Sequence, residues 1–228
     1  LPQWRPIMVN WGQIDTVLLD MDGTLLDLHF DNFFWLHHLP RRYAEQRNVH
    51  VDQVIAGLYQ RMQAKQGTLD WYCTDFWSRE FDLDIIQLKN EIGHLIDERP
   101  LARVFLETLG RCNKRRILVT NAHRNSVDIK FARTGIDTLL DLVVSSHDYG
   151  TPKEDQQFWH KLQTATRFDP ARTLFIDDSE AILESAQQFG IAHVLGIEKP
   201  DSQKEARVSQ GFTMLNSFAQ ILDLEQPQ

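Results

Sequence analysis

The sequence predicts an α/β protein: a doubly wound parallel sheet covered by helices on both faces and interrupted by an all-helical insert. Three observations carry this expectation. Short runs rich in Val, Ile and Leu recur without polar alternation, helical patterns closed by glycine separate the later runs, and strand-like runs vanish between Leu28 and about Glu98. Buried parallel strands read as continuous apolar runs because both faces of the sheet are covered. Alternating strands and helices with short connections fold into that architecture.

The first apolar run, TVLLD, begins at Thr16. RILVTN follows from Arg116, DLVVSS from Asp141, TLFIDD from Thr173 and IAHVLGI from Ile191, each too short for a helix. Between them, helices are expected over 126–134 closed by Gly135, over 154–166 with Phe158, Trp159 and Leu162, and over 179–189 closed by Gly190. Glycine after the last helical residue is a stop signal. In the insert, Val54, Ile55, Leu58, Tyr59 and Met62 share one helix face, and Ile85, Ile86, Lys89, Ile92, Leu95 and Ile96 suggest another. Four helices in a small bundle are expected there. Arg99-Pro100 marks the return to the core, with proline in a first helical turn. The expected division is a core at 1–27 and 99–228 with an insert at 28–98.

Composition narrows the function. At 228 residues the chain can bury a sizeable core without a disulfide or structural metal. Its net charge of −8 and the lack of a dense Lys/Arg stripe disfavour nucleic acid polymers as ligands. Cys73 and Cys112 show no Cys-x-x-Cys spacing, and the nine histidines include no His-Glu-x-x-His, so no zinc site is expected and a reducing cytoplasm fits. LPQWRPIMVNWGQ lacks a long apolar stretch and a cleavage pattern, and no segment approaches twenty apolar residues. Neither export nor membrane insertion is expected, and no obligate protein partner is evident. Gly-rich phosphate loops of the kinase and dinucleotide types are absent from the sequence.

Open parallel sheets bind ligands beyond the carboxyl ends of their strands. The residues there are Asp20 and Asp22, Thr120 and Asn121, Asp177 and Asp178, with Lys153 following the third run through a short loop. Four carboxylates and one lysine carry a local charge of about −3, and two like charges near 4 Å repel by roughly 4 kcal/mol at an effective dielectric of about 20. Such a cluster calls for a cation, and its hard oxygen donors favour Mg²⁺, with Mn²⁺ or Co²⁺ able to substitute.

In that order, DMDGT, LVTN, TPK and FIDDS resemble the four motifs of the haloacid dehalogenase superfamily, and the match spans nearly the whole chain. The resemblance implies a Rossmann-like core with a helical cap inserted between the first two motifs, similar to the subfamily of phosphoglycolate phosphatase and β-phosphoglucomutase. TPKEDQQFW departs from the Lys-Pro-x-Pro common there but keeps its lysine. The resemblance further implies that Asp20 is a nucleophile forming an aspartyl-phosphate and that Asp22 is the general acid/base. Thr120, the backbone around Asn121, and Lys153 would bind the phosphoryl group. Asp20, the Asp22 main-chain carbonyl and Asp178 would hold Mg²⁺, with Asp177 indirect. Gly23 would avoid a clash beside the phosphate, and Thr24 would orient Asp22.

LLDMDGTLLDLHFDNFFW resembles the branch of purine nucleotidases that hydrolyse GMP and IMP. That points to a small phosphomonoester, a purine nucleoside monophosphate, as substrate. Sugar phosphates or phosphoglycolate in a phosphatase or phosphomutase, and an inactive phosphate-binding module, remain the alternatives. The insert holds eleven of the chain's twenty-three aromatic residues. They fill a bundle core, or some of them, with Arg41 or Arg42, wall a pocket where a flat base stacks.

Overall fold

The computed structural model describes residues 5–223; the outermost parts of the expected core segments, 1–4 and 224–228, lie outside the described residues. Within them, six parallel strands, β1 Thr16–Leu19, β2 Arg115–Thr120, β3 Leu142–Ser145, β4 Thr173–Asp177, β5 His193–Ile197 and β6 Met214–Leu215, form one sheet in the order β3-β2-β1-β4-β5-β6. The first five fall on the five apolar runs. β6 was not expected, since two residues carry no periodicity; it pairs with Gly196 and Ile197 of β5.

The helices in chain order are α1 His29–Phe33, α2 Leu39–Gln46, α3 Ile55–Gln63, α4 Leu69–Tyr72, α5 Thr74–Phe81, α6 Ile85–Glu91, α7 Ala102–Arg111, α8 Arg124–Thr134, α9 Gln156–Thr166 and α10 Glu180–Phe189. Side chains alternate across the sheet. Leu18, between Ile117 and Phe175, packs with Phe158, Trp159 and Leu162 of α9 and Leu183 of α10. Leu19, between Leu118 and Ile176, packs on the other face with Phe105, Leu106 and Leu109 of α7. Both faces are covered, which explains the unbroken apolar runs; each fully buried side chain of this size is worth about 1.5–3 kcal/mol.

Helix starts differ from expectation because capping sets them. α8 begins at Arg124, two residues early, because the His123 side chain accepts from Asn125 N–H. α9 begins at Gln156, where Asp155 accepts from Gln157 N–H, and α10 begins at Glu180 with Ser179 at its cap position. Pro100 is not in a helix: Leu101 takes φ 65° and α7 starts at Ala102. The Arg99-Pro100 pair instead builds a neck. Arg99 N–H donates to Leu25 O, Asp27 N–H donates to Asp97 O, and the buried Arg99 guanidinium donates to Thr24 O and Lys199 O.

The insert packs around its own core of Phe30, Phe34, Leu58, Met62, Trp77, Phe81, Ile85 and Leu88, among others. Its four expected helices resolve into six α segments. A π turn, Phe34–His38, joins α1 to α2, and the extended Cys73 separates α4 from α5. Among the described residues no helix is long and apolar enough to cross a membrane.

Candidate active site

The strand order places β1 between β2 and β4, where successive connections diverge to opposite sides, and the carboxyl ends there form the crevice such sheets offer to ligands. Asp20 follows β1 and continues its pairing through a bond from its N–H to Ile176 O. Thr120 ends β2, and Asp177 ends β4. Lys153, 1 % exposed, reaches in from beyond β3 and donates from Nζ to Asp20 Oδ1 at 2.7 Å, Asp177 Oδ2 at 2.7 Å and Val119 O at 3.0 Å. Burial works against its charge, yet Asp177 and Asp20 hold the ammonium well above its usual range.

Carboxylate oxygens of Asp20, Asp177 and Asp178 lie within 4.8 Å of one another. Burial pushes Asp20 up to about 7, with Asp177 and Asp22 adding to the rise against Lys153. Asp177 rises to about 6 and Asp178 to about 7, again chiefly by burial. Lys153 is the one buried cation paired with these acids, Asp178 meeting only the half-exposed Arg207, and an all-oxygen donor set suits a hard divalent cation. Asp177 is committed on both oxygens, to Lys153 and to Ser179 N–H. Asp178 accepts from Arg207 at Oδ2. Gly23, at φ +85°, explains its own identity: a Cβ there would stand 2.8 Å from the Asp178 Cγ and 3.0 Å from the Pro200 Cβ. The fourth motif's carboxylate by itself leaves no room for a side chain there.

Asp22 sits in a separate network that the sequence reading missed. Lys130 of α8, 1 % exposed, donates to Asp22 Oδ1 at 2.6 Å and to Asp31 Oδ2 at 2.7 Å. Lys89 of α6 donates to Asp31 Oδ1 at 3.0 Å and to Ser126 Oγ at 3.3 Å. Two carboxylates and two ammonium groups thus alternate, from core to insert. Asp31, touching both cations, is held at about 2 although burial alone raises it. Asp22 touches only Lys130, so burial and the Asp31 charge raise its carboxyl. Thr24 does not orient Asp22: its Oγ1 is buried without a hydrogen-bond partner among the described residues, and Lys130 takes that place. Lys89 falling inside an apolar stripe was the available signal.

The side chain of Asn121 is spent on architecture. Its Oδ1 accepts from Lys153 N–H and its Nδ2 donates to Glu154 Oε2, while Tyr72 OH from the insert donates to Glu154 Oε1 at 2.7 Å. Thr120 Oγ1 accepts from Ala122 N–H, which leaves its own hydroxyl proton to donate elsewhere. Above these residues lies a cavity of about 430 Å³, walled by Trp35, Tyr59, Trp71 and Tyr72 from the insert and floored by Asp20, Asp22 and Lys153. Its size falls within the range of small-molecule sites, roughly 300–1,000 Å³. Phe30, Phe34 and Phe81 pack the bundle core instead. Arg41 and Arg42 do not line this cavity; they pair with Glu45 on the outer surface, and Arg42 also meets Glu91. The insert's cation at the cavity is Lys89.

Comparison with known proteins agrees with this geometry. A family model described as haloacid dehalogenase-like hydrolase matches residues 14–190. The chain is 44 % identical over 216 residues to the GMP/IMP nucleotidase YrfG of Escherichia coli (strain K12), covering 95 % of this chain and 97 % of the relative, and matches the Shigella flexneri protein of the same name equally well. Among solved structures, a HAD phosphatase from Thermococcus onnurineus superposes with a TM-score of 0.77 at 17 % identity, covering 91 % of this chain and 96 % of that one. A putative β-phosphoglucomutase from Thermotoga maritima gives 0.67 at 18 % identity, covering 92 % and 98 %.

Proposed function

Because the chain belongs to the haloacid dehalogenase-like hydrolases, we propose that it hydrolyses small phosphomonoesters through Asp20, with purine nucleoside 5′-monophosphates such as GMP and IMP as preferred substrates. The observation that carries this reading is Asp20 paired with buried Lys153 on the floor of an aromatic-walled cavity, with Asp22 held separately by Lys130. One Asp20 oxygen attacks phosphorus in line and the ester P–O bond breaks, splitting one hard displacement into two easier ones. Asp22, whose carboxyl burial raises, gives its proton to the departing alkoxide. It then takes a proton from the water that attacks the aspartyl-phosphate, freeing orthophosphate and Asp20. Proton transfer of this kind is worth about 10²–10⁴-fold. Thr120, backbone N–H groups near Asn121, and Lys153 stabilise the charge on the transferring phosphoryl oxygens.

The carboxylates fit Mg²⁺, which Asp20, the Asp22 carbonyl and Asp178 would hold, with Asp177 acting through Lys153 and Ser179. Both Asp177 oxygens being engaged supports that order. When bound, Mg²⁺ offsets phosphoryl negative charge and orients the ester; Mn²⁺ or Co²⁺ can substitute. The helical segment 28–98 serves as a cap over the core of 1–27 and 99–228, and its aromatic walls receive the base. The base preference draws on the similarity to the nucleotidase and on these walls. A cytoplasmic setting belongs to the same reading, since Cys73 and Cys112 are free thiols.

A panel of phosphomonoesters assayed with Mg²⁺ tests the proposal. Purine nucleoside monophosphates should exceed sugar phosphates at least tenfold in kcat/KM, and parity would overturn the base preference. Asp20→Asn should abolish turnover without unfolding the chain; phosphate release at the wild-type rate would remove Asp20 as nucleophile.

A further inference from the structure

A second cluster with metal-binding chemistry lies beside the cavity and plays no part in phosphoryl transfer. Cys73, His123 and His147 are far apart in sequence, yet a donor atom from each falls within 4.8 Å of the others. Around Zn²⁺, with Zn–N near 2.0 Å and Zn–S near 2.3 Å, tetrahedral donors stand roughly 3.3–3.8 Å apart, so the three need close on an ion by no more than about 1–1.5 Å. The three arrive from different elements. Cys73 is the extended residue between α4 and α5 of the insert. His123 caps α8 after β2, and His147 sits in the 3-10 turn Ser146–Asp148 after β3. The imidazole rings stand 4.9 Å apart at 81°.

The arrangement has the supporting contacts of a ligand set. His147 Nε2 is buried and has no hydrogen-bond partner among the described residues, so a lone pair there is otherwise left unsatisfied. Cys73 Sγ accepts from Phe76 N–H at 3.4 Å, at the start of α5. His123 Nδ1 accepts from Asn125 N–H at 3.3 Å and lies 3.0 Å from Thr74 Oγ1, while Nε2 stands 3.6 Å from Asp75 Oδ2. An ion on Nε2 would leave the ring proton on Nδ1, which then donates to Thr74 Oγ1 in exchange for the Asn125 bond, as ligating histidines donate from their other nitrogen. A soft thiolate with two imidazoles selects a different class of cation from the all-oxygen Asp20 cluster.

We propose that Cys73, His123 and His147 form a second metal site, specific for a borderline-soft divalent cation such as Zn²⁺, which pins the insert to the core. Cys73 lies next to Tyr72, which bonds Glu154, and to Thr74, which bonds His123. An ion there fastens the cavity's edge at the same junction. The fourth position falls to water, three protein ligands with an open site being a standard zinc arrangement.

Co²⁺ titration of the chelator-treated, Mg²⁺-loaded protein tests this. One equivalent should produce a near-ultraviolet thiolate-to-Co²⁺ charge-transfer band that Zn²⁺ displaces and excess Mg²⁺ does not. Cys73→Ala should lose the band, His147→Ala should weaken Co²⁺ affinity at least tenfold, and Cys112→Ala should keep both. Zn²⁺ should also raise the Tm of the wild type but not of Cys73→Ala, and circular dichroism confirms that each variant is folded. Absence of the band, its survival in folded Cys73→Ala, or its loss to Mg²⁺ would overturn the site.

Discussion

Lys130 separates the chemistry of the two aspartates that stand two positions apart. Asp20 shares Lys153 with Asp177, whereas Asp22 meets an ammonium carried by α8. Lys130 is not among the residues lining the cavity; in the proposed mechanism it positions the acid. Replacing it with Met should lower kcat for alkyl phosphates by about tenfold to a hundredfold, the scale on which a small misplacement acts. With an aryl phosphate, whose leaving group departs without a proton, the loss should be much smaller. Equal losses on both substrates would reduce Lys130 to a structural role, and the ratio is independent of the fraction folded. The acids were legible because each directly follows an apolar run. Lys130 was not, because RNSVDIKFART has mixed polarity, and a lysine in it reads as solvated until the fold buries it.

At the scale of elements, Asp31 joins α1 to both α8 and α6 through Lys130 and Lys89. Its carboxyl, at about 2 in the fold, would titrate near 3.9 in the unfolded chain (about 3.9 is the ordinary aspartate value). A depressed carboxyl contributes stability that is full above about pH 4 and is lost as pH falls through about 2. The contribution is roughly 2–3 kcal/mol by that linkage. Urea midpoints measured from pH 7 to pH 3 should therefore show wild type converging on Asp31→Asn as acid is added. At pH 7 the variant should be the less stable by about 3–5 kcal/mol, because two lysines lose a buried partner. A constant difference across the range would remove the linkage. Five strands and the helical character of the insert were legible from periodicity. Helix starts were not, since His123 and Asp155 set those of α8 and α9 through local caps that compete with the pattern. The α4/α5 break at Cys73 also carries no periodic signature.

At the scale of the whole molecule, the sequence order of the four strand ends foretold which residues would meet, because a parallel sheet brings its carboxyl ends to one edge. It could not foretell contacts between that edge and the insert, such as Tyr72 with Glu154 or Asn32 with Asp201, which depend on how two packed units face each other. The acidic cluster lies at this junction, and its charge acts on the fold as a whole. Buried Lys153 pairs with Asp20 and Asp177, and half-exposed Arg207 pairs with Asp178, so the mutual repulsion of the three acids opposes folding and a bound cation would relieve it. Mg²⁺ that binds the folded chain and not the unfolded one stabilises it by about 2.7 kcal/mol at a hundred times its Kd. For a chain of this size each kcal/mol moves Tm by about 2–4 °C, so a rise of roughly 5–10 °C is expected when Mg²⁺ is added to chelated protein at neutral pH. Asp178→Asn, with one fewer anion, should melt higher than wild type without Mg²⁺ and respond less to it. If that variant instead melts lower in chelator and gains as much from Mg²⁺, the carboxylates are not the ion's ligands, and the charge argument for this edge of the sheet fails with them.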